Sequence, residues 1–218
     1  MCGLSLYKHI TSEYINITRF EVGEFLKSQN NYQLTYNPFK VVNKPIVERF
    51  PNARHQIDLI DMNAVIQANS GYRYIYVQVD VFSRKCWLRK LKKKTASEVS
   101  LALLSCLEEM NTTPIMIQTD NGSEFKRQFN KVCEENGIKH IFSISHTPNQ
   151  NAIVERKNKD VRKILRKFFL DNNTLKWHNI LEEVQNNLNA TYIQTIKATP
   201  SIRPDIINYG VRIMNPLL

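Results

Sequence analysis

Three acidic residues, Asp58, Asp120 and Glu155, stand on stretches with different local patterns. Asp120 follows the apolar run Pro114-Ile-Met-Ile-Gln-Thr119 and opens Asp120-Asn121-Gly122-Ser123-Glu124-Phe125. An acid that ends a strand in an Asn-Gly turn is expected at the sheet rim, where a divalent ion can reach its carboxylate. Glu155 lies near the start of a basic helical pattern and can approach the same rim. Asp58 interrupts the apolar run Gln56-Ile-Asp-Leu-Ile60. Together they form a hard-oxygen ligand set of the kind magnesium or manganese prefers. Other acids have simpler readings. Asp61 falls on the opposite strand face from Asp58, as a solvated group or a partner for a base. Glu124 reads as a first-turn acid complementing a helix dipole, and Asp80 as a structural group on a solvent-facing strand surface.

The elements that must carry these residues follow from periodicity. His55 to Met62 reads as a buried central strand. After the turn signal Asn69-Ser70-Gly71, Tyr72 to Phe82 alternates, with Tyr74, Tyr76, Gln78 and Asp80 set against Ile75, Val77, Val79 and Val81. Lys85 to Leu91 completes a three-strand antiparallel meander. Thr95 to Met110 is helical, capped by Thr95 or Ser97, with Val99, Leu101, Ala102, Leu104 and Leu107 as its apolar face. A strand at Pro114 to Thr119 and a helix at Glu124 to Asn136, with Gly137 at its C-cap, come next. A strand at Ile138 to Ile144 and a loop at Thr147 to Asn151 lead to helices at Ile153 to Leu170 and Thr174 to Asn189. The order βββαβαβαα predicts an α/β protein with a mixed sheet flanked by helices.

Ahead of this core, residues 1–17 read as irregular. Thr18-Arg-Phe-Glu21 fits a capping box, opening a short helix that ends near Ser28 with Phe20, Val22, Phe25 and Leu26 on one face. Gln29 to Asn52 reads as an extended linker. The expected division is an N-terminal segment at 1–52, a main domain at 53–200 and an irregular tail at 201–218.

The 218 residues carry 30 Lys and Arg against 20 Asp and Glu, a net charge of +10 that favours a polyanionic partner such as nucleic acid. Seven basic residues and no acid occupy Arg84 to Lys94, and another seven lie between Arg156 and Lys167, broken only by Asp160. The cysteines Cys2, Cys86, Cys106 and Cys133 are scattered and form no C-x-x-C pair, which argues against a disulfide framework or zinc module and for a reducing setting. No apolar run approaches the roughly 18 residues of a membrane span, and no secretory signal opens the chain. A soluble, intracellular protein with no membrane partner is expected.

Gln56-Ile-Asp58, Thr119-Asp-Asn-Gly-Ser-Glu-Phe125, Gly137-Ile-Lys-His-Ile-Phe142 and Thr147-Pro-Asn-Gln-Asn-Ala-Ile-Val-Glu155-Arg-Lys-Asn-Lys159 resemble the catalytic core of retroviral-type integrases. The wording around Arg49 to Met62 and the capped helix before it most resemble the integrases of Maverick or Polinton elements and virus-like relatives. The resemblance implies a ribonuclease H-like fold, with three antiparallel and two parallel strands. It also implies a D,D,E site at Asp58, Asp120 and Glu155 holding two Mg2+ or Mn2+ ions about 4 Å apart. Such a site trims and joins the 3' ends of element DNA to target DNA. Lys159 and Arg162, four and seven positions beyond Glu155, share its helix face and can hold DNA phosphate. Asn151, Asn158 and His146 are further DNA contacts that the resemblance implies. Double-stranded DNA is the implied partner, and a homo-oligomer the implied assembly, because two ends must be joined.

Zinc-binding N-terminal domains of the family use paired His and Cys. Only Cys2 and His9 precede this core, so no structural zinc is expected. Little chain follows Asn208-Tyr-Gly210, which suits either a minimal integrase or a fragment. The implied location is the host nucleus or a viral particle or factory. Two other readings remain open: a catalytically inactive DNA-binding protein derived from an integrase, and a ribonuclease H-type nuclease acting on RNA-DNA hybrids.

Overall fold

The structure, a computed structural model, describes residues 3–13, 16–29, 46–143 and 150–201. The chain divides into two compact units, Met1–Asn43 and Lys44–Leu218. In the first, α1 (Gly3–Glu13) packs against α2 (Arg19–Ser28). The helix at α1 departs from the irregular segment expected there. Tyr7 and Ile10, spaced by three, are half-buried, and a pairing with a second helix is invisible to a local reading. The capping box of α2 forms as expected: Thr18 Oγ1 accepts from the Glu21 N–H, and Glu21 Oε2 accepts from the Thr18 N–H at 2.7 Å. Of its apolar residues Val22 is buried, while Phe20 and Phe25 are exposed.

The second unit is built on one five-stranded sheet of order β3-β2-β1-β4-β5. β1 (Arg54–Asp61) lies at the centre. It pairs antiparallel with β2 (Tyr74–Asp80), which pairs antiparallel with β3 (Cys86–Leu91). On its other side β1 runs parallel to β4 (Met116–Thr119), and β4 parallel to β5 (Lys139–Phe142). Three antiparallel and two parallel strands flanked by helices form the expected ribonuclease H-like architecture.

Helices α3 (Ala96–Met110) and α4 (Gln128–Glu135) cover one sheet face around Ile57, Tyr76, Trp87, Leu103, Ile117 and Phe129. Helices α5 (Ala152–Asp171) and α6 (Leu181–Ala190) cover the other around Ile60, Ile75, Val77, Val161, Leu165 and Trp177. Thr95 caps α3 as expected, but its buried stripe is Val99, Ala102, Leu103, Cys106 and Leu107. Leu101 and Leu104 face outward. Gly137 adopts a left-handed φ of +69°, and Ile138 N–H closes onto Cys133 O at 2.8 Å. Among the described residues no helix is long and apolar enough to cross a membrane.

Three local expectations are corrected. The polar side of β2 does not face water, because α3 and α4 cover it. Tyr76 O–H donates to Gln78 Oε1 and Gln78 Nε2 to His55 Nδ1, all three residues buried, and His55 Nε2 lies 3.1 Å from Oδ1 of the half-buried Asn52. Burial pushes His55 down to about 4 against the opposing field of Asp80, which keeps the ring neutral in this chain. Asp80 is structural, as expected, but for another reason: it is buried and accepts from Ser83 Oγ at 2.5 Å and from the N–H groups of Phe82 and Ser83.

The helix expected from Glu124 is broken. A 3-10 turn at Ser123–Phe125 precedes α4, and Arg127 at φ 48° separates them. Likewise, the helix expected from Thr174 begins only at Leu181. The buried Asn69 side chain takes the N–H of Trp177 at 2.7 Å and donates to Leu175 O at 2.9 Å, holding that backbone in a non-helical path. Asn69 ends a 3-10 helix, Asn63–Asn69, which no periodicity in the chain announces.

Candidate metal and DNA site

The parallel pairing of β1 with β4 places Gln56 opposite Gln118. Two residues further on, with side chains returning to the same face, stand Asp58 and Asp120. That face is the one α5 covers, and Glu155 lies in the first turn of α5. Two neighbouring strands and one helix start therefore bring the three acids toward one rim.

Their electrostatics follow from this placement. Asp58 is half-buried, and its carboxyl titrates above the usual aspartate range. Burial is the largest cause, and the charges of Asp120 and Glu155 add to it; hydrogen bonds from Leu59 N–H at 2.8 Å and Asn158 Nδ2 at 2.7 Å oppose the rise. Asp120 and Glu155 are exposed, and Asp120 Oδ1 accepts from Gly122 N–H at 3.0 Å. Mutually repelling carboxylates at an accessible rim are the donor chemistry that a hard divalent cation neutralises. The donor set fits such an ion. The side chains are nonetheless open as they stand: among the described residues no three His, Cys, Asp or Glu groups are gathered closely enough to hold a metal. Asp58 uses both oxygens, and Asp120 one, on protein hydrogen bonds.

Two neighbours complete the site that sequence reasoning did not assign to it. Glu124 is buried and pairs with Lys94 at 2.8 Å, and the turn it stands in is the short 3-10 segment ahead of α4. Its carboxylate folds over Gly122, where an added Cβ would lie only 2.6 Å from Oε2. Lys94 titrates above the usual lysine range, chiefly through its bond to Glu124, with the fields of Asp120 and Asp58 adding to it. The basic run Arg84 to Lys94 carried the only sequence signal for this lysine.

Among the expected DNA contacts, Lys159 and Arg162 are exposed on the Glu155 side of α5 and make no ion pair among the described residues. Asn158 is instead buried and turned onto Asp58, with its Oδ1 left without a partner. Asn151 Nδ2 donates to Ser143 Oγ at 3.0 Å, tying the start of α5 to the end of β5. His146, the loop from Thr147 to Asn149 and the tail beyond Ser201 lie outside the described residues.

A mixed five-stranded sheet with helices on both faces and acids converging on one rim is a ribonuclease H-like arrangement. Residues 48–148 match the family model described as "Integrase core domain". The Pro-Pol polyprotein of feline foamy virus is 30% identical over 182 residues, which cover 80% of this chain and 16% of that polyprotein. Among solved structures, the HTLV-2 integrase catalytic core domain in complex with magnesium superposes with a TM-score of 0.58 at 26% identity. The match covers 70% of this chain and 95% of that one. A chain of the simian T-cell lymphotropic virus intasome superposes with a TM-score of 0.66 over 93% of this chain and 70% of that one; at 24% identity it speaks for the fold alone. The chain is thus similar, over most of its length, to catalytic cores of the retroviral and retrotransposon integrase type. These relatives do not single out the Maverick or Polinton branch.

Proposed function

We propose that the chain is a metal-dependent DNA integrase that trims the 3' ends of a viral or mobile element's DNA and joins them to target DNA. Asp58, Asp120 and Glu155 would be its catalytic ligands. The observation that carries this reading is the convergence of the three acids, which is close enough for Asp120 and Glu155 both to bear on the titration of Asp58. Two divalent ions, when bound, supply activation of water or a 3'-hydroxyl and stabilisation of the leaving oxygen. The chain's own groups do the rest. Asn158 orients Asp58, Glu124 holds Lys94 beside the acids, and Lys159 and Arg162 offer cations to DNA phosphate on the Glu155 face. Asn151 and His146 are proposed to meet the DNA end.

The partner is double-stranded DNA, and a homo-oligomer would hold two ends together. The place of action would be the host nucleus or a viral particle or factory. A Maverick- or Polinton-like origin rests on the wording around Arg49 to Met62 and on the capping box at Thr18, which the structure forms. One observation favours a second reading, an inactive DNA-binding derivative: Asp58 and Asp120 are engaged with protein donors.

The test is Mg2+-dependent strand transfer of a labelled duplex end into plasmid, comparing the parent with Glu155→Gln. Joined product from the parent, falling at least 100-fold in the variant, is the expected result. Binding of DNA with no product from either protein supports the inactive derivative.

A further inference from the structure

Gln56 stands two residues before Asp58 on the central strand and is fully buried. The first turn of a helix leaves its N–H groups without partners inside the helix. In α5 the N-cap residue, Asn151, makes no side-chain cap. The partner comes from the sheet instead: Val154 N–H donates to Gln56 Oε1 at 3.1 Å. The other end of the same amide is also engaged, Gln56 Nε2 donating to Gln150 O at 2.6 Å. One fully buried side chain thus holds the backbone on both sides of the point where the helix begins.

The clasp is itself backed. Gln118, its register partner on β4, presents Oε1 to Gln56 Nε2 at 3.5 Å and to Arg54 Nη1 at 3.2 Å, and the Arg54 guanidinium pairs with Glu48 at 2.7 Å. Asp58 and Asp120 lie two residues beyond the two glutamines, and Glu155 lies one residue beyond Val154. The spacing between the two strand acids and the helix acid is therefore set at Gln56. Both hydrogen bonds use the amide in its allowed sense, oxygen accepting and nitrogen donating. Glutamate would face Gln150 O with a second acceptor, and methionine would keep the length while losing both bonds.

The structure assigns Gln56 as a positioning residue: its amide sets Glu155 against Asp58 and Asp120, so that divalent-ion binding depends on a side chain that supplies no ligand. This rests on the metal-site reading proposed above. Outer partners of metal ligands commonly govern affinity in this way.

The experiment uses the whole chain and Mn2+ alone, followed by its electron paramagnetic resonance signal in the absence of DNA. Gln56→Met is expected to weaken Mn2+ binding by about 10- to 100-fold, while DNA affinity in EDTA stays unchanged. Asn189→Leu, destabilised on the far edge of the sheet, keeps the parent's Mn2+ affinity. Gln56→Met binding Mn2+ within twofold of the parent overturns the inference and leaves the metal site standing. A parent that binds no Mn2+ overturns the metal site and this role with it. A second measurement needs no variant: in hydrogen exchange of the parent, the Val154 amide should be protected well beyond those of Ala152 and Ile153, the residues before it in α5. Equal exchange would show that the clasp does not hold in solution.

Discussion

Asp58 keeps its proton to a higher pH than an ordinary aspartate, because it is buried and because Asp120 and Glu155 are near. Between the ordinary and the raised value the folded state holds a proton that the unfolded chain has released. Stability therefore falls as pH rises through that window, and the cost is complete above it. Asp58→Asn removes the charge while retaining an oxygen for Asn158. In EDTA at neutral pH its melting temperature is expected to rise by a few degrees, and the stabilisation that Mn2+ gives the parent to vanish. A lower melting temperature in EDTA would show that the charge is not the source of strain. The three acids were legible in the sequence because each stands in a recognisable motif. Gln56 and Asn158 were present in those motifs, but their tasks were not legible, since their partners lie 94 and 100 positions away. The pairing of Glu124 was not legible because its partner, Lys94, stands 30 positions earlier in the chain.

The helix α6 shows how an element can do the work of a strand. Its Gln185 Oε1 accepts from Leu88 N–H at 2.7 Å. Asn189 takes both the N–H and the C=O of Cys86, each at 2.8 Å. A helix advances about 6 Å over four residues, and a strand about 6.7 Å over two. Side chains at i and i+4 on α6 therefore meet alternate residues of β3. Asn189→Leu leaves two buried backbone groups without partners, at about 1–3 kcal/mol each. Urea unfolding is expected to show a loss of at least about 1 kcal/mol; a smaller loss would mean that water takes over both bonds. Alternation and helical spacing were enough to predict the five strands, their order of appearance and the helices of the core. They could not reveal where a distant side chain interrupts a helical pattern, as Asn69 does at Leu175 to His178, nor that both faces of β2 are covered.

At the scale of the molecule, the charge of +10 includes two runs of seven Lys and Arg each, Arg84 to Lys94 and Arg156 to Lys167. Lys159 and Arg162 extend the Glu155 face outward, and Lys94 stands beside Asp120 and Asp58. Binding to duplex DNA should weaken linearly in log-log form as salt rises, each phosphate contact contributing about 0.9 to the slope. Lys159→Ala and Arg162→Ala should each lower that slope by about one, equally for any DNA sequence. Fluorescence anisotropy over a salt series measures this, and an unchanged slope removes the residue from the DNA surface. The sequence conveyed the sign and clustering of the charge, but the face on which each cation points required the fold. The order in which the parts arrive has a consequence for the site. During synthesis β1 leaves the ribosome long before β4, and Glu155 follows only with α5. The three acids cannot meet until that helix has seated on Gln56, so the rim they share is the last part of the sheet to be assembled.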